Sequence, residues 1–278
     1  MIKNRVISVV VVLFMFSMSS NAQKINDKII GSVGKVVKGF SFSNEEAVAL
    51  AKAAVDQMDK ENPVADSKDK YTVRLKKIFS KHTTENGIKL NYKVYKVKEV
   101  NAFACADGSV RVYQGLMDVM DDNEVLAVIG HEIGHVVNND SQDAVKAAYK
   151  KEALIDAVSS QSDKIAALTS SDLGKIGNLI IDSKHSRMQE SEADLYSYDF
   201  MKRNGYNVNA VESAFTILAK LSEGADASFL SRITSSHPDA KERAENAKMR
   251  AEKDGLYKPY VKKSEASKTK TVVKKKKK

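Results

Sequence analysis

The stretch VLAVIGHEIGHVVN, residues 125–138, decides how the rest of the chain is interpreted. It places His131 and His135 four residues apart, and such residues lie one turn apart on the same face of an α-helix. Two imidazoles in that arrangement can bind one Zn²⁺, and Glu132 beside the first can act as a base on water. The flanking residues are mainly Val, Ile and Leu, which predicts a buried helix. Burial of three reactive side chains is costly unless they have partners, so we predict a metal site here.

Two histidines make an incomplete site, because a catalytic zinc usually takes three protein ligands and one water. The best candidate for the third ligand lies in RMQESEAD, residues 187–194. On a helix, Glu190 and Asp194 share a face one turn apart. Glu190 is predicted to bind the metal, and Asp194 to accept a hydrogen bond from the second ring N–H of a ligand histidine. Glu192 points elsewhere and is expected to play no part.

Both motifs resemble those of the Ste-type and HtpX-like zinc metallopeptidases, peptidase family M48, a gluzincin group. Two further segments agree. VNAFACADGSVRVYQGLM, residues 100–117, is similar to the strand that precedes the motif helix in that family. SSHPDAKERAENA, residues 235–247, is similar to its His-Pro element followed by an Arg-containing helix. The resemblance runs from about Glu46 to Lys253 and is strongest to the small exported, LoiP-like bacterial members.

The resemblance implies a zinc metalloendopeptidase with one Zn²⁺ per chain, the three ligands proposed above and Glu132 as catalytic base. It also implies that an edge strand pairs with an extended substrate. That pairing would restrict cleavage to unfolded or misfolded polypeptides. The alternative is that this strand is simply part of the sheet core. The strand residues in question are Asn101, Ala102, Phe103 and Ala104.

The remaining histidines are harder to assign. The family position of His237 suggests that it lies near the cleft, where it would contact the oxyanion or act as a gate on the metal. Capping of the last helix is the alternative. His82 and His185 are expected at the surface, and Arg243 in a structural ion pair rather than on substrate. Cys105 is expected to be a small buried hydrophobe.

The first 22 residues have the composition of a signal peptide. Lys3 and Arg5 precede an apolar run, residues 6–18, that is too short to span a membrane, and small residues lie before a cut after Ala22. An uncleaved anchor helix is the alternative. We therefore predict an exported protein, periplasmic in a cell with two membranes and secreted otherwise, with no transmembrane segment in the mature chain.

Residues 256–278 are rich in lysine and are predicted to be a disordered tail. Attachment to an anionic envelope surface and simple solubilisation are both compatible with this composition. The net charge of +9 comes from the two ends of the chain, and the predicted metallopeptidase domain, residues 23–255, is slightly acidic. A nucleic-acid-binding protein needs a basic face on the fold itself, so no nucleic-acid partner is expected. The single cysteine excludes an intrachain disulfide.

Hydrophobic spacing predicts an α+β fold: a helix-rich zincin-type domain with a small, mainly antiparallel sheet. One of Asp121, Asp122 and Asn123 should cap the motif helix. The expected strands are 89–97 and a hairpin of 100–105 with 110–113. The other expected helices are 43–60, 70–81, 144–159, 171–181, 184–204, 209–221 and 238–253.

Three functions are compatible with these features. The first is a zinc endopeptidase that acts on misfolded or surplus envelope proteins. The second is a chaperone-like binding module of the envelope that seldom cuts. The third is a polyanion-binding surface protein that works through its lysine tail.

Overall fold

The computed structural model describes residues 43–153, 165, 168–223 and 231–262. The predicted signal peptide and most of the lysine-rich tail lie outside these residues. The described strands are β1 (Thr84–Glu85), β2 (Ile88–Lys89), β3 (Asn91–Tyr95), β4 (Ala102–Ala104) and β5 (Ser109–Tyr113). The described helices are α1 (Asn44–Glu61), α2 (Lys70–Phe79), α3 (Gln114–Val119), α4 (Asp122–Val137), α5 (Asp140–Ala153), α6 (Ser170–Ile181), α7 (Arg187–Arg203), α8 (Asn209–Ser222), α9 (Ser231–Ser236) and α10 (Ala240–Lys253).

These elements confirm the predicted α+β class, and the differences lie mainly at element ends. α5 begins at Asp140, four residues earlier than expected, and the short helix α9 lies in a stretch expected to be a loop. α10 begins at Ala240, because Asp239 takes a left-handed conformation (φ 62°) that a helix cannot include. None of the described helices is long and apolar enough to cross a membrane.

The larger described sheet has the strand order β3-β5-β4. β4 and β5 form the predicted antiparallel hairpin, with Phe103 opposite Arg111. Its turn needs Gly108, which has φ 82° and whose missing Cβ would meet the Lys89 carbonyl oxygen. β3 pairs with β5 in parallel, an exception to the expected antiparallel pairing. The connection at residues 96–101 lets β5 lie between the other two strands, which leaves β4 at the edge.

The motif helix α4 starts with a capping box, as the sequence predicts. The Asp121 side chain accepts from the backbone N–H groups of Asn123 and Glu124, and Glu124 accepts from the Asp121 N–H. α4 packs against α7, α8 and β4. Gly134 makes the close approach to α7 feasible, because a Cβ there would lie 3.0 Å from the Ala193 Cα. This packing brings the two predicted metal-binding motifs together.

A largely buried ion-pair network, with the Lys93 side chain partly exposed, joins β3 and β5 to α1; we call it the Asp59 cluster (Asp59, Lys93, Tyr95 and Arg111). Arg111 donates from Nε to Asp59 Oδ1 at 2.8 Å and from Nη2 to Asp59 Oδ2 at 2.9 Å. The Tyr95 hydroxyl and the Lys93 ammonium also donate to Asp59, at 2.8 and 2.7 Å. Burial of Arg111 is thus compensated by a carboxylate with full hydrogen bonding.

The first seven residues of the predicted tail pack on the body. Tyr260 donates from its hydroxyl to Asp121, the cap of the motif helix, at 2.8 Å. Lys262 Nζ donates to the Val119 carbonyl at 3.1 Å. The disordered tail predicted from Leu256 onward is therefore wrong for residues 256–262, since aromatic side chains at 257 and 260 give this stretch apolar surface to bury.

Candidate metal centre and cleft

Helices α4 and α7 bring three metal-ligand types to one point. His131 Nε2 lies 3.1 Å from His135 Nε2, and the two Glu190 oxygens lie 3.5 Å from His131 Nε2 and 3.4 Å from His135 Nε2. All three side chains are buried. Converging nitrogen and carboxylate lone pairs repel one another unless a proton or a cation lies between them. These residues, with His237, form a group whose donor atoms all lie within 4.8 Å of one another and could hold a metal ion.

Each histidine of the motif has a carboxylate partner on its other ring nitrogen. His131 Nδ1 lies 2.9 Å from Asp194 Oδ1, the contact expected from the sequence, and His135 Nδ1 lies 2.8 Å from Asp140 Oδ2. A histidine that donates from Nδ1 presents the lone pair of Nε2 to a metal. Gln189 Nε2 in turn donates to Asp140 Oδ1 at 2.8 Å.

The contact of Asp140 with His135 is not predicted from the sequence. Asp140 lies five residues after His135, beyond the end of α4, where helical spacing no longer predicts which side chains share a face. The left-handed residue Asn139 (φ 68°) turns the chain back toward the site. The acidic pair of residues 140 and 143 that opens α5 is the only sequence signal in this stretch, and it is weak because acidic first turns are common.

Arg243 lies behind the ligands and is 6% exposed. Its Nη1 lies 2.7 Å from Glu190 Oε2, and its Nε and Nη2 donate to the two Asp194 oxygens at 2.9 and 2.7 Å. Its guanidinium also lies 4.1 Å from the centre of the Phe215 ring, a cation–π contact. The ion pairs expected of Arg243 are therefore present, and they involve site residues.

Burial and neighbouring charges set the protonation of these groups. Burial, assisted by the Arg243 charge, lowers the pKa of His131 to about 3. Burial also acts to lower the pKa of His135, but hydrogen bonds to Asp140 and Glu190 outweigh it and raise that pKa to about 9. Burial would raise the pKa of Glu190, yet hydrogen bonds from His135 and His237 hold it below its ordinary value. Burial raises the pKa of Glu132, which makes it a stronger base than an exposed carboxylate.

His237 lies in the site itself. Its Nδ1 is 3.2 Å from His131 Nε2 and 2.9 Å from Glu190 Oε1, and its Nε2 is 3.6 Å from Glu132 Oε1. His185 is stacked on His135 with ring centroids 3.8 Å apart, because its backbone N–H bonds to the Ser236 carbonyl and the segment before α7 folds over α4. The surface position predicted for His185 is therefore wrong.

His82 is buried rather than at the surface, whereas His185 is only partly buried. It is 4% exposed, its Nε2 lies 2.7 Å from the Tyr206 hydroxyl, and its ring packs on Phe200 with centroids 4.8 Å apart. A single histidine in a polar stretch carries no periodic signal that would distinguish a core position from a surface one. Cys105 is fully buried, as expected, and burial raises the pKa of its thiol.

The strand β4 runs beside this centre. Tyr113 N–H donates to the Asn101 carbonyl and Cys105 N–H to the Ser109 carbonyl, so the odd-numbered residues bond to β5. The backbone groups of Ala102 and Ala104 consequently face the outer edge. Asn101 Oδ1 accepts from the Ala102 N–H at 2.9 Å, which leaves Asn101 Nδ2 buried without a partner among the described residues.

Side chains from several elements cover this edge. Together with β4 they enclose a cavity of only about 30 Å³, room for roughly one water molecule. An extended peptide would therefore have to displace part of the cover. The covering residues include Ile180, Ile181, His185, Ser236 and His237.

Comparison with known proteins confirms the family that the sequence motifs indicate. The model described as Peptidase family M48 matches residues 70–251. The chain is 37% identical over 229 residues to Metalloprotease LoiP of Escherichia coli (strain K12), covering 82% of this chain and 89% of LoiP. It is 41% identical over 214 residues to Metalloprotease YcaL of the same organism, covering 77% of this chain and 83% of YcaL.

A third relative is more distant. It is a putative beta-barrel assembly-enhancing protease of Vibrio cholerae, 25% identical over 146 residues, which covers 48% of this chain and 30% of the relative. The family match and the two longer alignments each include both motifs. The chain therefore belongs to peptidase family M48 and is a metalloendopeptidase.

Proposed function

We propose that this metalloendopeptidase is zinc-dependent and hydrolyses peptide bonds in unfolded or misfolded proteins of the cell envelope. The observation that carries the proposal is the convergence of His131, His135 and Glu190 beside Glu132 and the edge strand β4. Tetrahedral zinc ligands at about 2.0–2.2 Å from the ion stand roughly 3.3 Å from one another. Two separations fit that value: 3.1 Å between the two histidine Nε2 atoms and 3.4 Å from His135 Nε2 to Glu190 Oε1.

The chemistry divides between the metal and the chain. When bound, Zn²⁺ supplies a Lewis acid that polarises a carbonyl and increases the acidity of water. Glu132 accepts the proton of the attacking water and passes it to the leaving amine. Asp194 and Asp140 keep the two imidazoles oriented with Nε2 toward the metal.

Substrate binding by β-augmentation is supported by the edge position of β4. The Ala102 carbonyl and the Ala104 N–H face outward, where an added strand would bond to them. The unpartnered Asn101 Nδ2 is a further donor, which a substrate carbonyl would satisfy. Only a chain without its own secondary structure can pair in this way, so the geometry favours unfolded or misfolded substrates.

His237 fits the role of a gate better than that of an oxyanion contact. Its Nδ1 stands at 3.2 Å from His131 Nε2 and 2.9 Å from Glu190 Oε1, close to the separation of zinc ligands from one another. In this position it would take the coordination position that water and substrate need when a metal is bound. Access would require the segment at Ser236–His237 to move.

The envelope assignment depends on sequence features. We propose export through residues 1–22, with a periplasmic location in a cell with two membranes, and contact of the lysine-rich tail with an anionic surface. The relative named as a beta-barrel assembly-enhancing protease supports an envelope role.

The central test is cleavage of casein by the metal-loaded protein, with and without a zinc chelator. Glu132→Gln removes the proposed base with little change in shape, and cleavage should fall by roughly 10²- to 10⁴-fold. Glu192→Gln, an exposed position on α7, is the matched control and should cleave normally. Equal cleavage by Glu132→Gln and wild type would refute the mechanism.

The same variant separates a peptidase from a chaperone-like binding module. If binding alone is the function, Glu132→Gln should still suppress aggregation of an unfolded client and should complement a deletion strain. Loss of complementation together with loss of cleavage would establish proteolysis as the function.

A further inference from the structure

Arg243 joins two carboxylates with different proposed tasks. From α10 it reaches α7, where Nη1 contacts Glu190 Oε2 at 2.7 Å and Nε and Nη2 contact both Asp194 oxygens. Glu190 and Asp194 lie one turn apart on α7, and like charges at that spacing repel each other. One guanidinium therefore holds the metal-facing carboxylate and the carboxylate that orients His131 in a common arrangement.

The guanidinium has little freedom to adopt another orientation. The Phe215 ring lies 4.1 Å away on one side, and His131 Nδ1 lies 3.0 Å from Nη2. Arginine suits this place because its planar fork can meet two carboxylates at once, whereas a lysine ammonium is a single point charge. The pairing also compensates the cost of burying the arginine.

The orientation of Glu190 determines how many of its oxygens can reach a metal. Oε2 lies 2.7 Å from Arg243 Nη1 as an ion pair, and no hydrogen bond from the described residues reaches it; Oε1 lies 3.4 Å from His135 Nε2 and 2.9 Å from His237 Nδ1. A carboxylate that bound zinc through both oxygens would fill the coordination position needed for water and substrate. Engagement of Oε2 by a cation therefore favours binding through Oε1 alone.

We infer that Arg243 is a positioning residue for the metal centre: it limits Glu190 to one-oxygen coordination and holds Asp194 against His131. This inference rests on the proposed zinc site. Arg243 thereby positions two of the three ligands, Glu190 directly and His131 through Asp194, which a purely structural ion pair would not do.

The test replaces Arg243 by Met, which keeps the length of the side chain and removes the fork. Zinc affinity, measured by competition with a zinc-binding indicator, should fall roughly 10- to 100-fold, the usual effect of losing an outer partner of a metal ligand. The Co²⁺-substituted protein should show weaker visible absorption, because coordination by both Glu190 oxygens raises the coordination number above four. A purely structural ion pair would leave this spectrum unchanged.

Two further variants keep the test decisive. Arg187→Met removes a nearby arginine whose only close carboxylate among the described residues is Asp239, at 3.5 Å, and should match wild type in affinity and spectrum. Arg243→Lys keeps the charge without the fork, should show the same spectral change, and decides the question if Arg243→Met does not fold. If the folded Arg243 variants keep the wild-type zinc affinity and the wild-type Co²⁺ spectrum, the inference about Arg243 is overturned and the proposed zinc site still stands. Failure of the wild type to bind zinc would overturn the proposed site as well.

Discussion

Arg111 in the Asp59 cluster and Arg243 at the metal centre are both buried arginines paired with carboxylates, and they are 2% and 6% exposed. Around Arg111, donors meet acceptors: Asp59 receives hydrogen bonds from Arg111, Lys93 and Tyr95. The network is complete without any further ligand. Its function in the molecule is to connect α1 to the sheet.

The surroundings of Arg243 are different, because atoms of metal-ligand type face one another there. The nearest separations between His131, His135 and Glu190 are 3.1 to 3.5 Å, between atoms that each offer a lone pair to a cation once the imidazoles have lost the facing proton. Arg243 alone cannot neutralise the four carboxylates of the centre, and a bound cation would compensate the remaining negative charge. These carboxylates belong to Glu132, Asp140, Glu190 and Asp194. A surplus of converging acceptors thus distinguishes a binding site from a structural ion-pair network of similar burial.

The largest expected effect comes from removing a converging acceptor. Glu190→Ala should lower zinc affinity by more than roughly 100-fold, above the range for outer partners of a ligand, and should abolish casein cleavage. Zinc content after dialysis and cleavage rate are the measurements. Glu192→Ala, exposed on the same helix, is the matched control. Undiminished zinc and activity in Glu190→Ala would show that another carboxylate is the ligand.

The next effect concerns stability rather than metal. Arg111→Met leaves Asp59 without its bidentate partner, and the free energy of unfolding should fall by about 3–5 kcal/mol, as for other broken buried pairs. Urea denaturation measures this loss. Zinc affinity per folded molecule should stay at the wild-type value, and a clear decrease would mean that the two clusters are coupled.

The Asp59 cluster should also respond to acid in a defined direction. Burial by itself would raise the pKa of Asp59, but hydrogen bonds from Arg111 and Lys93 lower it to about 2, from an ordinary value of 3.8. Because the folded pKa lies below the unfolded one, this stabilisation is complete above about pH 4 and is lost as pH falls toward 2. The free-energy difference between wild type and Asp59→Asn, from urea denaturation, should shrink by about 1 kcal/mol between pH 5 and pH 2.5. A constant difference would contradict the shift.

The smallest expected effect comes from His237, which adds one more nitrogen to the converging set. His237→Ala should raise the initial rate of casein cleavage a few-fold, on the order of 1 kcal/mol or less, if the side chain acts as a gate. Zinc affinity should change little, because three ligands are retained. A fall in the cleavage rate at unchanged zinc content would assign His237 to the oxyanion instead.

The elements predicted correctly are those with a local pattern. The motif helix follows from its capping residues and continuous apolar run, and the β4–β5 hairpin follows from alternation around a glycine turn. The pairs His131/His135 and Glu190/Asp194 follow from i, i+4 spacing, and the structure places all four side chains at one centre. The parallel β3–β5 pairing and the order of residues 256–262 have no comparable local signature.

Spacing within single segments is enough to predict the type of chemistry, because residues one helical turn apart must share a face and histidine and glutamate are zinc-ligand types. The distant groups that complete the centre follow from the packing of the folded chain. Asp140 reaches the centre because the left-handed residue before it turns the chain back. His185 reaches it because the segment before α7 folds over His135. Arg243 lies on α10, far from α7 in sequence, and contacts Glu190 because the helices meet in the fold. These contacts depend on how helices pack, as at Gly134 against Ala193, and packing is not encoded by spacing within one segment.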